Sequence, residues 1–206
     1  MVRLYSLVAA GLVAAMLGAL AWMIWARPAG DRFAQCRTSA VAGGVGTPGG
    51  AFELVDHTGR TRSDRDLVTM PTILYFGYTF CPDVCPLDNA RNAQAVELLE
   101  ERGIVAQPAF VTVDPARDTR EVMAEFVSIF HPRMVGLSGS EAQIREAARA
   151  FRVYFAAQPA QDGFYLIDHS THSYLLLPGH GVVEVLPRAL EARQMAERVE
   201  CFVGRL

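Results

Sequence analysis

The sequence contains no lysine: all 19 basic residues of the 206-residue chain are arginines. This removes Schiff-base formers, Walker-type phosphate ligands and lysine general bases, and with them several enzyme classes. Cysteine is sparse, at four residues: Cys36, Cys81, Cys85 and Cys201. The seven methionines are scattered rather than clustered, which marks them as core filling rather than metal ligation. Positive charge is not in excess either. Residues 31–206 hold 17 basic against 22 acidic side chains, a net of −5, which argues against a nucleic-acid partner. There is no internal repeat.

One long hydrophobic run is present. Residues 4–25 carry no charge, and as a helix they reach roughly 33 Å, enough to span a bilayer. Trp22 and Trp25 stand at its far end, followed by Arg27 and Pro28, as at a lipid boundary. A transmembrane helix is therefore expected, with a membrane anchor over 1–27. The rival is a cleaved signal peptide with small Ala19 and Ala21, but this run is longer than the roughly 7–15 residues of a signal core. Either way the remainder is exported. Orientation does not follow from charge, because Arg3 on one side faces Arg27, Arg32 and Arg37 on the other. Residues 28–50, rich in Gly, Ala and Pro, read as a flexible linker, and 51–206 as one domain of ordinary size.

Within that domain the pattern alternates. Strands are expected at 52–56 and 60–64 around a turn at His57, Thr58 and Gly59, and a fully buried strand at 72–78. A helix follows over 88–102 with Ala90, Ala93, Val96 and Leu99 inward and Gly103 as its stop. Next come a strand at 109–113, a helix at 119–130 and a strand at 134–137. A helix at 140–151 is capped by Ser140 with Ile144, Ala147, Ala148 and Phe151 inward. A long strand over 163–177, a turn at 178–181, a strand at 182–186 and a helix at 190–203 close the chain. The fold class is α/β, a thioredoxin-like fold with a central mixed sheet flanked by helices.

The chemistry sits between the buried strand and its helix, at Cys81-Pro82-Asp83-Val84-Cys85. A strand-to-helix turn places thiols at the carboxyl edge of the sheet, near a helix N-terminus that favours thiolate, so both cysteines are expected to have lowered pKa values. Disulfide oxidoreductases of the thioredoxin type carry two residues between their cysteines. Three stand here, a spacing that puts both sulfurs on one side of a helical turn, able to chelate a metal or close a disulfide. The segment around Asp168, His169 and His172 offers a third ligand. On a regular strand residues three apart face opposite ways, so at most one histidine serves. Two thiolates with one imidazole suit Cu(I) and tolerate Cu(II) with an added weak ligand.

These residues resemble the Sco (SenC) copper proteins of cytochrome c oxidase assembly. The resemblance is carried, in the family's order, by the runs at 76–86 (Phe-Gly-Tyr-Thr-Phe-Cys-Pro-Asp-Val-Cys-Pro), 113–119 (Val-Asp-Pro-Ala-Arg-Asp-Thr), 131–139 (His-Pro-Arg-Met-Val-Gly-Leu-Ser-Gly) and 167–170 (Ile-Asp-His-Ser). It implies Cys81, Cys85 and His169 as copper ligands, choosing His169 over His172. It also implies a single-pass inner-membrane protein whose soluble domain faces the periplasm and serves cytochrome c oxidase subunit II. Leu87-Asp88 and His180 depart from the family pattern. Copper then arrives from an upstream donor, and a periplasmic thiol reductant keeps the pair reduced.

The alternative function is a thiol-disulfide oxidoreductase reducing the ligand cysteines of subunit II. A peroxidase-like thiol enzyme ranks below both, since no basic residue flanks Cys81. A purely structural disulfide suits the flanking prolines and exposed setting poorly, and a structural zinc site lacks a second cysteine pair. His57 and His131 read as solvated surface residues. Asp168 either orients the imidazole or completes a turn, and Asp83 and Asp114 shape loops near the site. Cys36 and Cys201, left over in an oxidising compartment, are expected to form a second disulfide. Lipid attachment at Cys36 is the alternative, but Phe33-Ala34-Gln35 lacks the small residues expected before it.

Overall fold

A computed structural model describes residues 2–25, 31–38 and 47–206. Of the expected linker, 28–30 and 39–46 lie outside the described residues, as do Met1, Ala26 and Arg27 of the expected anchor. The apolar run forms a helix, α1 (Val2–Trp25). Among the described residues, which include only part of this helix's side chains, no helix is long and apolar enough to cross a membrane. The chain divides after Gln35 into two compact units, the second comprising Cys36–Leu206.

That second unit is built around a seven-stranded mixed sheet. Its elements are β1 (Glu53–Asp56), β2 (Thr61–Ser63), α2 (Asp64–Leu67), β3 (Thr72–Gly77), α3 (Val84–Glu100), β4 (Gln107–Thr112), α4 (Arg120–Phe130), β5 (Val135–Ser138), α5 (Glu141–Phe151), β6 (Phe155–Ala157), β7 (Ile167–His169), β8 (Ser173–Leu177), β9 (Gly181–Leu186) and α6 (Ala192–Val203). The sheet order is β2-β1-β5-β4-β3-β8-β9. β3, β4 and β5 run parallel, as strands joined by crossover helices must, while β8 lies antiparallel to β3 and β9 to β8. This is the thioredoxin-like arrangement of a mixed sheet between helices.

Every residue of β3 and β4 is buried, which explains their continuous apolar runs. α5 starts at a capping box of Ser140 and Gln143 and turns Ile144, Ala147, Ala148 and Phe151 into the core, as its periodicity demands. α3 differs from expectation. It begins four residues earlier, at Val84, leaves Ala90 exposed, and buries Asp88, Asn89 and Asn92 at its site end. Tyr75 Oη donates to Asp88 Oδ2 at 3.0 Å and Asn92 Nδ2 to Ser173 Oγ at 3.0 Å, while Asn89 Nδ2 donates to Cys85 O at 2.8 Å and its Oδ1 accepts no hydrogen bond from the described residues.

The strand expected over 163–177 is two strands in two sheets. β7 pairs with β6, an element with no clear sequence signal, in a separate two-stranded sheet, and only β8 joins the main sheet. Ser170 N donates to Tyr154 O at 3.0 Å and Tyr154 N to Ser170 Oγ at 3.1 Å, closing the hairpin so that the chain leaves β7 before His172.

Parts of the expected linker belong to this unit. Cys36 is bonded to Cys201 with Cα atoms 5.8 Å apart, Arg37 Nε donates to Val183 O at 3.1 Å, and Thr38 N donates to the buried Glu184 Oε2 at 3.0 Å. Gly49 N donates to Ala150 O at 2.8 Å.

Candidate metal centre

β3 delivers the chain to the site through Gly77, where no side chain fits. A Cβ there would lie 2.8 Å from Cys85 Sγ and 2.9 Å from the Tyr75 ring. After Thr79 and Phe80 the backbone turns, Cys81 N donating to Tyr78 O at 3.3 Å, and α3 begins. Asp83 stands at the N-cap but makes no capping bond. Cys81 supplies it instead, its Sγ accepting from Cys85 N at 3.4 Å. Both thiols are free and buried, Cys85 completely.

His169 arrives from the opposite side on β7. Its Nδ1 lies 2.9 Å from Ser170 O, a carbonyl that only accepts, so Nδ1 carries the proton and the Nε2 lone pair faces Cys85 Sγ at 3.2 Å. Tyr75 and Tyr78 hold the imidazole edge-on, with ring centroids 6.0 and 5.8 Å away. Ligand atoms of Cys81, Cys85 and His169 all lie within 4.8 Å of one another, and among the described residues no other such group of three occurs.

The electrostatics correct one expectation. Burial pushes the Cys85 thiol well up rather than down, because removal from water outweighs the hydrogen bonds from the Tyr78 backbone and the Tyr75 side chain. The same burial lowers His169 and keeps its imidazole neutral. A neutral nitrogen and two soft sulfurs in a nearly dry pocket fit a soft cation, whose charge replaces the protons of the thiols.

The second histidine is elsewhere. His172 Nε2 lies 2.6 Å from Tyr174 Oη, which donates onward to Phe151 O at 2.6 Å. Its separation from the cysteines comes from the break after β7, not from alternation along a regular strand. Asp168 does not hold the imidazole. It is exposed and accepts from Gln158 Nε2 at 2.8 Å. Asp114 does shape a loop: it is buried, ion-pairs with Arg117 and accepts from Tyr165 Oη at 2.9 Å. His131 and His57 are not solvated surface residues. His131 is buried against Glu100 at 3.1 Å, and half-buried His57 accepts from Gly136 N at 3.2 Å.

Sequence reasoning assigned no role to Tyr75, Arg117 or Asp118. Asp118 is 1% exposed and accepts from Thr79 N at 3.1 Å, Thr79 Oγ1 at 2.6 Å and Thr112 Oγ1, and burial raises its pKa despite them. The available signal was the run at 113–119, whose charged residues directly follow a buried strand.

Comparison with known proteins identifies the family. Residues 43–204 match the family model described as SCO1/SenC. Protein SenC of Rhodobacter capsulatus is 44% identical over 178 residues, covering 85% of this chain and 79% of that protein. The mitochondrial SCO2 homolog of Bos taurus is 44% identical over 153 residues, covering 73% of this chain and 58% of its own length. The crystal structure of Arabidopsis thaliana ScoI with copper bound superposes with a TM-score of 0.72 at 35% identity, covering 76% of this chain and 98% of that one. With its match over most of the chain and its paired cysteines facing one histidine, this chain belongs to the SCO1/SenC family.

Proposed function

We propose that this chain is a copper metallochaperone that carries copper as cargo on Cys81, Cys85 and His169 and assists maturation of the copper centre of cytochrome c oxidase subunit II. The observation that carries the reading is the convergence of two free thiols and a neutral imidazole within 4.8 Å. The copper-bound relative from Arabidopsis thaliana supports the choice of metal. Cys85 and His169 present their donor atoms toward each other, and the buried Tyr75 and Tyr78 rings limit water around the imidazole. Uptake requires the reduced pair, because a disulfide offers no thiolate. A periplasmic thiol reductant and an upstream copper donor complete the cycle.

The uncharged run at 4–25 of the sequence supports a single-pass anchor in the inner membrane, over 1–27, with the folded unit that begins at Cys36 facing the periplasm. The Cys36–Cys201 bridge suits that oxidising compartment.

One observation favours a second reading, a thiol-disulfide oxidoreductase acting on the ligand cysteines of subunit II: Cys85 N donates to Cys81 Sγ, as would stabilise a thiolate in exchange. The two separate at His169, which copper carriage needs and dithiol exchange does not. Cells carrying His169→Ala or Cys81→Ala are grown at limiting copper and the copper content of their oxidase is measured. Carriage predicts that both fail. Normal assembly with His169→Ala beside failure with Cys81→Ala overturns carriage in favour of reduction.

A further inference from the structure

The hairpin that carries His169 is not hydrogen-bonded into the main sheet: β6 and β7 form a sheet of their own. What holds it over the cysteines comes largely from the single loop after β4. Arg117 Nη1 donates to Tyr165 O at 2.9 Å, four residues before His169, and its guanidinium lies 3.6 Å from the centre of the Tyr165 ring. Its Nε pairs with Asp114, whose other oxygen accepts from Tyr165 Oη at 2.9 Å. The same guanidinium lies 5.1 Å from the ring of Phe80, the residue before Cys81, and 5.6 Å from that of Tyr78, whose Oη accepts from Ile167 N at 3.2 Å. One residue on, Asp118 grips the other half of the site through Thr79 N and Thr79 Oγ1, two residues before Cys81.

We infer that the loop at 113–119 is a two-sided clamp, in which Arg117 positions the imidazole-bearing hairpin and Asp118 positions the cysteine-bearing turn, so that the loop sets the gap between nitrogen and sulfurs. Arg117 reaches Asp114 with Nε and Tyr165 O with Nη1 at once. A lysine in its place lacks the planar fork that directs two nitrogens at separate acceptors. The two halves of the site are therefore separable by mutation. The inference rests on the proposal that the triad carries copper, but half of its test needs no metal.

The full-length chain in detergent, reduced and metal-free, is compared as wild type, Arg117→Gln, Arg117→Lys and Thr79→Val by amide hydrogen exchange. Both Arg117 variants should raise exchange in peptides covering 155–169 by about tenfold while leaving 192–203 unchanged, since the hairpin loses its hydrogen-bonded tie to the loop. Thr79→Val should raise exchange around 79–85 and leave the hairpin as in wild type. With Cu(II) added, the Arg117 variants should lose intensity in the thiolate-to-copper charge-transfer absorption, while their retention of Cu(I) against a chelator changes by less than about threefold. Hairpin exchange at the wild-type level overturns the clamp, and so does a rise spread evenly through 192–203, which marks Arg117 as a general stabiliser. A wild type that binds no copper overturns the copper proposal instead, and the exchange comparison still judges the clamp. If Arg117→Gln does not fold, Arg117→Lys carries the same comparison.

Discussion

Removing the Cys36–Cys201 bridge by the double substitution Cys36→Ala and Cys201→Ala should destabilise the domain without touching the metal triad. The bridge spans a sequence separation of 165, so nearly the whole domain lies inside the loop it closes. For a loop of that length the chain-entropy model gives roughly 5 kcal/mol. Native disulfides removed from small domains cost about 2–5 kcal/mol, so the model value is the upper end. At the size of this domain that loss lowers the melting midpoint by about 4–20 °C. The unfolded chain also becomes more expanded once uncrosslinked, so the denaturant m-value should rise. Tryptophan fluorescence is the wrong probe, because both tryptophans lie in α1. Near-ultraviolet circular dichroism of the fully buried Tyr75 and Tyr174 reports the domain itself. A double variant that unfolds within about 1 kcal/mol of wild type, with an unchanged m-value, would refute the reasoning.

Three further outcomes follow from the same geometry. His169→Ala should abolish tight Cu(II) binding and weaken Cu(I) less, whereas His172→Ala should leave both bound, because its imidazole is committed to Tyr174; charge-transfer absorption and chelator competition read the difference. Gly77→Ala should destabilise the domain by about 1–3 kcal/mol and also impair metal binding, since the new Cβ would press on Cys85 Sγ; a variant of wild-type stability and copper affinity contradicts the close approach. Burial lowers His131, His169 and His172, so near pH 6 the unfolded chain binds more protons than the folded one. This part of the stability is fully present above the unfolded histidine pKa of about 6.5 and is lost as pH falls through the folded values, with a slope of at most about 1.4 kcal/mol per pH unit for each histidine. Denaturant midpoints of the metal-free protein taken from pH 7 to pH 5 should fall; a flat profile would show that these imidazoles take up protons without cost.

Local patterning made most of the fold legible. The buried runs of β3 and β4 and the stripe of α5 each follow from a single periodicity, and the tight turn before β9 has its glycines in place. The misses lie where tertiary partners override local pattern. α3 starts at Val84 because Cys81 Sγ caps it, a role the sequence had assigned to neither cysteine. Asp88, Asn89 and Asn92 break the apolar stripe of that helix, and partners brought near by the fold, Tyr75 and Arg188 for Asp88 and Ser173 for Asn92, make the burial of those two tolerable. The division of 163–177 into β7 and β8 depends on Ser170 meeting Tyr154, a pairing across the hairpin that no run of side chains announces. Cysteine arithmetic anticipated the pairing of Cys36 with Cys201, which the structure shows joined. The sign of the Cys85 shift was not legible, because the spacing of the motif says nothing of the depth at which the fold buries this thiol.

The most direct test of the account is the copper environment of the loaded protein. Full-length reduced chain in detergent is loaded with copper and its X-ray absorption fine structure recorded beside the Cys81→Ala and His169→Ala variants. The account predicts a single copper per chain whose nearest neighbours are two sulfurs and one nitrogen, the sulfur signal falling with Cys81→Ala and the imidazole signal vanishing with His169→Ala. Copper surrounded only by oxygen and nitrogen, or unchanged spectra in both variants, would contradict it.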